Sequence, residues 1–351
     1  MKKFKYIFFL LRNKILINIL TFFILFFITD LVYSNFIEKR DVRSNCVVNK
    51  NKFYFLEKNC FFKQNYIRNV KQYNVYTNKF GLRFSGKEIN KKNKYIFYFG
   101  DSFTYGLGLD YKKTYVGMME NKLINYNHLN FGLQGYSPAV YLYQLNKMIN
   151  EGIYPNKIFL ALDFTDIFEE SDRWVSSKDK YLPPSVNDKA QREDQNSNFK
   201  DKHFKGSKII AQTINGFFRN LRLSFKSYFN KDKINEKTQK TEIGSFLYSS
   251  EGNYVKKKLK TKNLKDRSKK LEETLKEISK LSTTINADFY IIIYPWPDTL
   301  VYGQNNFNWE NFAAKFCKNN CTKLVNTFPT FLKFKKNDKF WKKKLFINQD
   351  L

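Results

Sequence analysis

One stretch of this sequence places a hydroxyl nucleophile where a parallel sheet would present it. Tyr95–Phe99 is an apolar run that enters Gly100-Asp101-Ser102, and a helical pattern begins some ten residues later. Such a run before a glycine turn reads as a buried strand. It puts the Ser102 hydroxyl at the strand's carboxyl edge. Gly100 lets the backbone turn sharply, and the Ser102 amide can face a developing oxyanion. A serine is a weak nucleophile, so it needs a base that a third group orients. The same residues also suit an ordinary strand–helix turn with Asp101 and Ser102 as helix caps. The two histidines, His128 and His203, are read as structural or surface groups. His128 precedes a strand on the wrong side of the sheet order, and His203 lies in a charged stretch.

The elements that must position Ser102 follow from periodicity. Val116, Met119 and Leu123 sit at helical spacing after Thr114, a suitable N-cap. Leu129–Phe131 reads as a second strand. Ser137-Pro138 opens a helix whose face is Leu142, Leu145 and Ile149, with Gly152 at its end. Ile158–Leu162 is a third strand. Leu264, Leu271, Leu275, Ile278 and Leu281 form an amphipathic helix. Phe289–Tyr294 is a further buried strand, Trp309, Phe312 and Phe316 mark another helix, and Leu324–Phe328 closes the pattern. The expected fold is α/β, a three-layer α/β/α sandwich with a parallel sheet, its functional groups gathered at the carboxyl ends of the strands.

GDSFTYG, Gly100–Gly106, resembles the first block of the SGNH/GDSL hydrolases, whose nucleophile is the serine of GDS; it is not the elbow of the α/β-hydrolases. Asn130-Phe131-Gly132-Leu133-Gln134-Gly135 resembles the second block, which implies that the Gly135 amide joins the Ser102 amide in an oxyanion hole. The third block of that family is GxND after a strand. Here Asp163-Phe164-Thr165-Asp166 follows the strand from Ile158, so Thr165 stands where the family places asparagine and Asp163 where it places glycine. A threonine hydroxyl donates one hydrogen bond and reaches less far than an amide. Phe346–Leu351 resembles the approach to the last block, with Asp350 as the acid that orients a histidine two or three residues later. The sequence in hand ends at Leu351, and the expectation is a chain cut just short of its base.

Ile293-Tyr294-Pro295-Trp296-Pro297 places Trp296 at the active-site edge with Asp101 and Asp166, either stacking on a sugar face or packed beside a proline-ended strand. Together with FCKNNC and NTFP it resembles envelope SGNH proteins carrying an N-terminal membrane anchor. The resemblance covers residues 77–170 and 288–350. It implies an ester hydrolase or O-acyltransferase without a cofactor, acting on an acylated envelope glycan or lipid. A non-catalytic envelope protein that binds glycan is the other reading.

Residues 1–14 carry Lys2, Lys3, Lys5, Arg12 and Lys14, and Ile15–Thr29 has no charge. With Asp30 near the interface, residues 15–36 are long enough for a membrane-spanning helix whose basic flank stays inside. A cleaved signal peptide, ending near Val32-Tyr33-Ser34, would export the remainder equally. Cys46 with Cys60 and Cys317 with Cys321 then suit two disulfides outside the cytoplasm; four free thiols are the plain alternative. No cysteine–histidine spacing fits a zinc site, and no metal is expected. The domains expected are 1–36, flank and anchor; 37–90, an irregular stalk or cap; and 91–351, the hydrolase-like domain with a charged insertion at 171–262. Lys and Arg number 62 against 32 acidic residues in 351, and aromatics are 18%. That is core-forming, not disordered, composition. The excess is spread along the chain without a nucleic-acid motif, so it reads as solvated surface.

Overall fold

The computed structural model describes residues 2–32, 46–50, 52–64, 72–177, 179, 182–187, 264–296, 299–300, 303–304, 307–338 and 341. Asp350, His203 and most of the charged insertion lie outside the described residues. The chain divides into two units, one of residues 1–40 and 192–237 and one of residues 41–191 and 238–351.

In the first unit α1 runs Lys2–Val32. Its Ile17, Leu20, Phe22, Phe23, Leu25 and Ile28 are all at least half exposed. Among the described residues no helix is long and apolar enough to cross a membrane.

The second unit is built on a sheet ordered β12-β11-β8-β6-β7-β5-β4-β3. Its strands are β3 Phe61–Gln64, β4 Tyr73–Thr77, β5 Arg83–Phe84, β6 Lys94–Phe99, β7 Tyr126–Asn130, β8 Pro155–Leu162, β11 Asp288–Ile293 and β12 Lys323–Asn326. From β12 to β7 every pairing is parallel. From β7 to β3 every pairing is antiparallel. The central strands are parallel as expected, and the expectation that residues 37–90 are irregular is corrected. Residues 61–84 extend the β7 edge, and β1 Val47–Lys50 with β2 Phe53–Leu56 forms a separate hairpin. The alternating burial of Tyr73, Val75 and Thr77 is the period-2 signal that marks β4.

Alternation along β6 divides the packing. Phe97 and Phe99 enter the large core with α4 (Pro138–Asn150), α6 (Leu264–Thr284) and α7 (Trp309–Asn320). Ile96 and Tyr98 face the smaller core under α3, Tyr115–Lys122. Thr114 caps α3 by accepting from the Gly117 amide, and Leu271, Leu275 and Ile278 are the buried stripe of α6. On the α3 side His128 stacks on Tyr98, Tyr98 on Phe159, and Phe159 on Tyr290.

Cys46 is joined to Cys60 and Cys317 to Cys321, with Cα separations of 6.0 and 4.9 Å. α7 ends at Asn320, which frees Cys321 to turn back on Cys317. The first bridge spans 14 positions, a loop whose closure restricts the unfolded chain by about 3 kcal/mol. Replacing Cys46 and Cys60 together by serine is expected to lower unfolding free energy by about that amount, measured by urea titration.

Candidate active site

Counted from β6 along the chain, the parallel strands lie in the order 2-1-3-4-5. In that order the connections reverse direction between β6 and β8, which opens a crevice outside the strands' carboxyl ends. Ser102 follows β6 and Asp163–Asp166 follows β8, so both sides of the crevice carry residues singled out in the sequence.

Gly100 has φ +157°, and a side chain on it would collide with that of Thr104. Only glycine lets the chain fold back so closely. Ser102 then opens a single helical turn, α2, Ser102–Tyr105. Asp101 caps it, with Oδ1 accepting from the Phe103 amide at 2.9 Å. Gly106, left-handed at φ +78°, ends it. The Ser102 hydroxyl lies 3.5 Å from Asp101 Oδ2, at the limit of a hydrogen bond. Asp101 is held from the other side by the Tyr294 hydroxyl, which donates to Oδ1 at 2.9 Å. Burial raises the Asp101 carboxyl above its usual range.

The loop after β7 docks onto this turn. The Leu133 amide donates to the Gly100 carbonyl at 3.3 Å. Asn130 accepts from the Gly132 amide at 2.9 Å and donates to the Thr104 carbonyl at 2.9 Å. A Cβ on Gly132 would strike the α2 backbone. Gly135 has φ +67°, and its carbonyl accepts from Trp174 Nε1 at 2.8 Å. Ser137 follows, donating to Glu170 Oε2 at 2.7 Å, and the Ala139 amide donates to the same oxygen at 2.8 Å. Thr274 donates to Oε1 at 2.6 Å. The fully buried Glu170 thus ties the start of α4 to α6.

On the opposite wall Asp163 is fully buried. Its Oδ1 accepts from the Thr165 amide at 2.5 Å and the Thr165 hydroxyl at 2.6 Å. Its Oδ2 accepts from Trp296 Nε1. Burial first, and the neighbouring Asp101 charge second, push its carboxyl up to about 7. Asp166, whose Oδ2 accepts from the Asp163 amide at 2.8 Å, is also raised by burial and then by Asp163. The Thr165 hydroxyl, assigned to the oxyanion hole by resemblance, gives its hydrogen to Asp163. Trp296 takes the packed one of its two readings: it is 6% exposed, its indole N–H donates to Asp163, and its ring meets Phe103 edge-on at 6.1 Å. It packs the wall and offers no face to a sugar. The exposed aromatic at the crevice is Phe103, 41% exposed, with Tyr294 at 4.6 Å.

No family model and no curated protein matches the chain. The chain is similar to AlinE4, an SGNH-hydrolase family esterase. That likeness covers 68% of this chain and 77% of AlinE4, at 13% identity and a TM-score of 0.34. A variant of AlinE4 aligns over 72% of this chain and 85% of its own, at 12% identity and a TM-score of 0.36. TesA aligns over 68% and 80%, at 12% identity and a TM-score of 0.33.

His128 stands away from the crevice, paired beside Ile96 in mid-sheet. Its Nδ1 meets the Tyr98 hydroxyl at 2.9 Å and its Nε2 the Leu123 carbonyl at 3.0 Å. Burial lowers its basicity. Among the described residues no histidine reaches Ser102, and no group of side chains forms a metal site.

Sequence reading assigned no role to Tyr294, Arg83 or Glu170. Arg83 donates to the carbonyls of Tyr105, Gly106 and Leu109 at 2.6, 2.8 and 2.5 Å. Its guanidinium therefore fixes the carboxyl end of α2, where a cation also suits the helix dipole. The one trace of it in the sequence is an arginine in the turn TNKFGLRF, Thr77–Phe84, between strand-like residues.

Proposed function

We propose that the chain is an exported serine ester hydrolase or O-acyltransferase of the SGNH type, with Ser102 as the residue that is acylated. The observation that carries this reading is the placement of Ser102 on a one-turn helix at the switch point, with the glycine loop 132–135 docked against it. The Ser102 and Gly135 amides are the oxyanion donors in this reading, and Asp350 is the acid that orients the base. Exposed Phe103 beside the nucleophile suits the acyl part of an envelope glycan or lipid ester. Residues 15–36 hold the domain at the membrane with the remainder outside the cytoplasm, in keeping with two disulfides.

The test is labelling by a fluorophosphonate probe, using protein expressed from its complete gene. Stoichiometric labelling that Ser102→Ala abolishes, at unchanged circular dichroism, is the expected result. A helix-capping serine without an activating base does not react, so absence of labelling in folded protein refutes the enzyme. Export has its own test. A reporter active only in an oxidising compartment, fused after residue 60, is expected to be active; activity of a cytoplasm-only reporter there contradicts the topology.

The engaged hydroxyl of Thr165 favours a second reading, a protein that keeps this fold to bind glycan without turning it over. Thr165→Asn distinguishes the two. Asparagine at this position is expected to raise ester turnover at least tenfold if the oxyanion hole lacks a donor, since one such donor is worth about 10²–10³ in rate. It leaves a pure binder inert.

A further inference from the structure

A cavity whose lining does not include Ser102 lies between the β1–β2 hairpin, the loop after β7 and α4. Its volume is about 350 Å³, within the range of small-molecule sites. The walls are apolar: Phe53, Leu56, Phe131, Leu133, Tyr136 and Met148 line it, and each is buried. Exposed Lys50, Lys58 and Lys147 stand on its lining, and none of their ammonium groups has an acidic partner among the described residues. One carboxylate, Glu151, shares the lining. Gln144, one turn before Lys147 on α4 and also on the lining, has a buried carboxamide oxygen with no hydrogen-bond partner. Positions three apart on a helix share a face, so Gln144 and Lys147 stand on the same side of α4.

We propose that this cavity binds a medium- or long-chain carboxylate, its alkyl chain along the apolar walls and its head group held by the lysines and Gln144. The lining supplies the two things such a molecule needs together, a sink for methylenes and uncompensated positive charge. The site is independent of the chemistry at Ser102, and Ser102→Ala is expected to leave it unchanged.

The test is calorimetric titration of the folded chain with octanoate, decanoate and dodecanoate below their micelle concentrations. One saturable site is expected. Affinity should rise by roughly fourfold per added methylene until the cavity is full, as burial of a CH₂ dictates. Reversing Lys50, Lys58 and Lys147 together to glutamate should weaken dodecanoate at least tenfold while neutral decanol binds as before. Leu133→Trp, which fills the cavity, should abolish both; if that variant does not fold, the lysine variant alone decides. Absence of saturable binding overturns the proposal. So does binding that the lysines control but chain length does not, which is surface ion exchange.

Discussion

Between pH 4 and pH 8 the unfolding free energy is expected to fall by on the order of 4 kcal/mol because of Asp163. Its carboxyl titrates at about 7 in the folded chain against 3.8 for an ordinary aspartate. Below both values the proton is present in both states and the full stability is retained. As the pH rises, the unfolded chain releases its proton first while the folded chain still holds its own. The folded state then binds more protons, and stability declines until the folded group has titrated as well. Each unit of difference is worth about 1.4 kcal/mol. Asp101 and Asp166, raised in the same direction by burial, add to the decline. Urea midpoints at pH 5, 6, 7 and 8 for the native chain and for Asp163→Asn measure it. The variant should show a much flatter profile, whatever its absolute stability. Parallel profiles would sink the assignment.

Arg83→Met should destabilise the fold by about 3 kcal/mol or more and remove the reactivity of Ser102. Methionine keeps most of the volume but no donor, so the carbonyls of Tyr105, Gly106 and Leu109 lose the guanidinium's hydrogen bonds, the Gly106 carbonyl keeping that of the Leu109 amide. A buried acceptor left unsatisfied costs about 1–3 kcal/mol. Arg83 is 1% exposed and lies against the rings of Tyr73, Tyr105 and Tyr111, so water does not readily replace it. Arg83→Lys should recover only part of the loss, because one ammonium does not reproduce the fork that spans residues 105 to 109. Thermal unfolding reads the stability and probe labelling reads the serine. A variant as stable as the native chain would show that the carbonyls find other donors.

How much of this was legible depended on range. The parallel strands and their helices were visible because each buries a local pattern: the continuous run of β6, the 3–4 spacing of α6, the Thr114 cap. The strands between residues 47 and 84 are two to five residues long, too short for periodicity to outweigh their polar content, and were read as irregular. The glycine turns before Ser102 and at Gly135 were legible in short motifs, and both Gly100 and Gly135 take positive φ. The bonds from Trp296 and Thr165 to Asp163 were not legible. The first joins strands β8 and β11 across 133 positions, and nothing in a local pattern reports which of two neighbouring strands turns a tryptophan inward; the second spans two positions and follows only once Asp163 is buried. The same limit hid Arg83, whose partners lie 22 to 26 residues ahead.

The register of β8 against β11 sets Lys157 beside Asp288, 131 positions apart and 2.6 Å between charged atoms. The chain that joins these strands is the longest closure in the parallel sheet, and closure entropy grows only with the logarithm of length. Halving that connection would change the closure by only about 0.6 kcal/mol. Kinetically the pairing is costly, since distant contacts form slowly; thermodynamically its length hardly matters. A single residue inserted between Gly100 and Gly106 would by contrast dismantle the crevice, because the close approach at Gly100 and the left-handed turn at Gly106 leave no room for it.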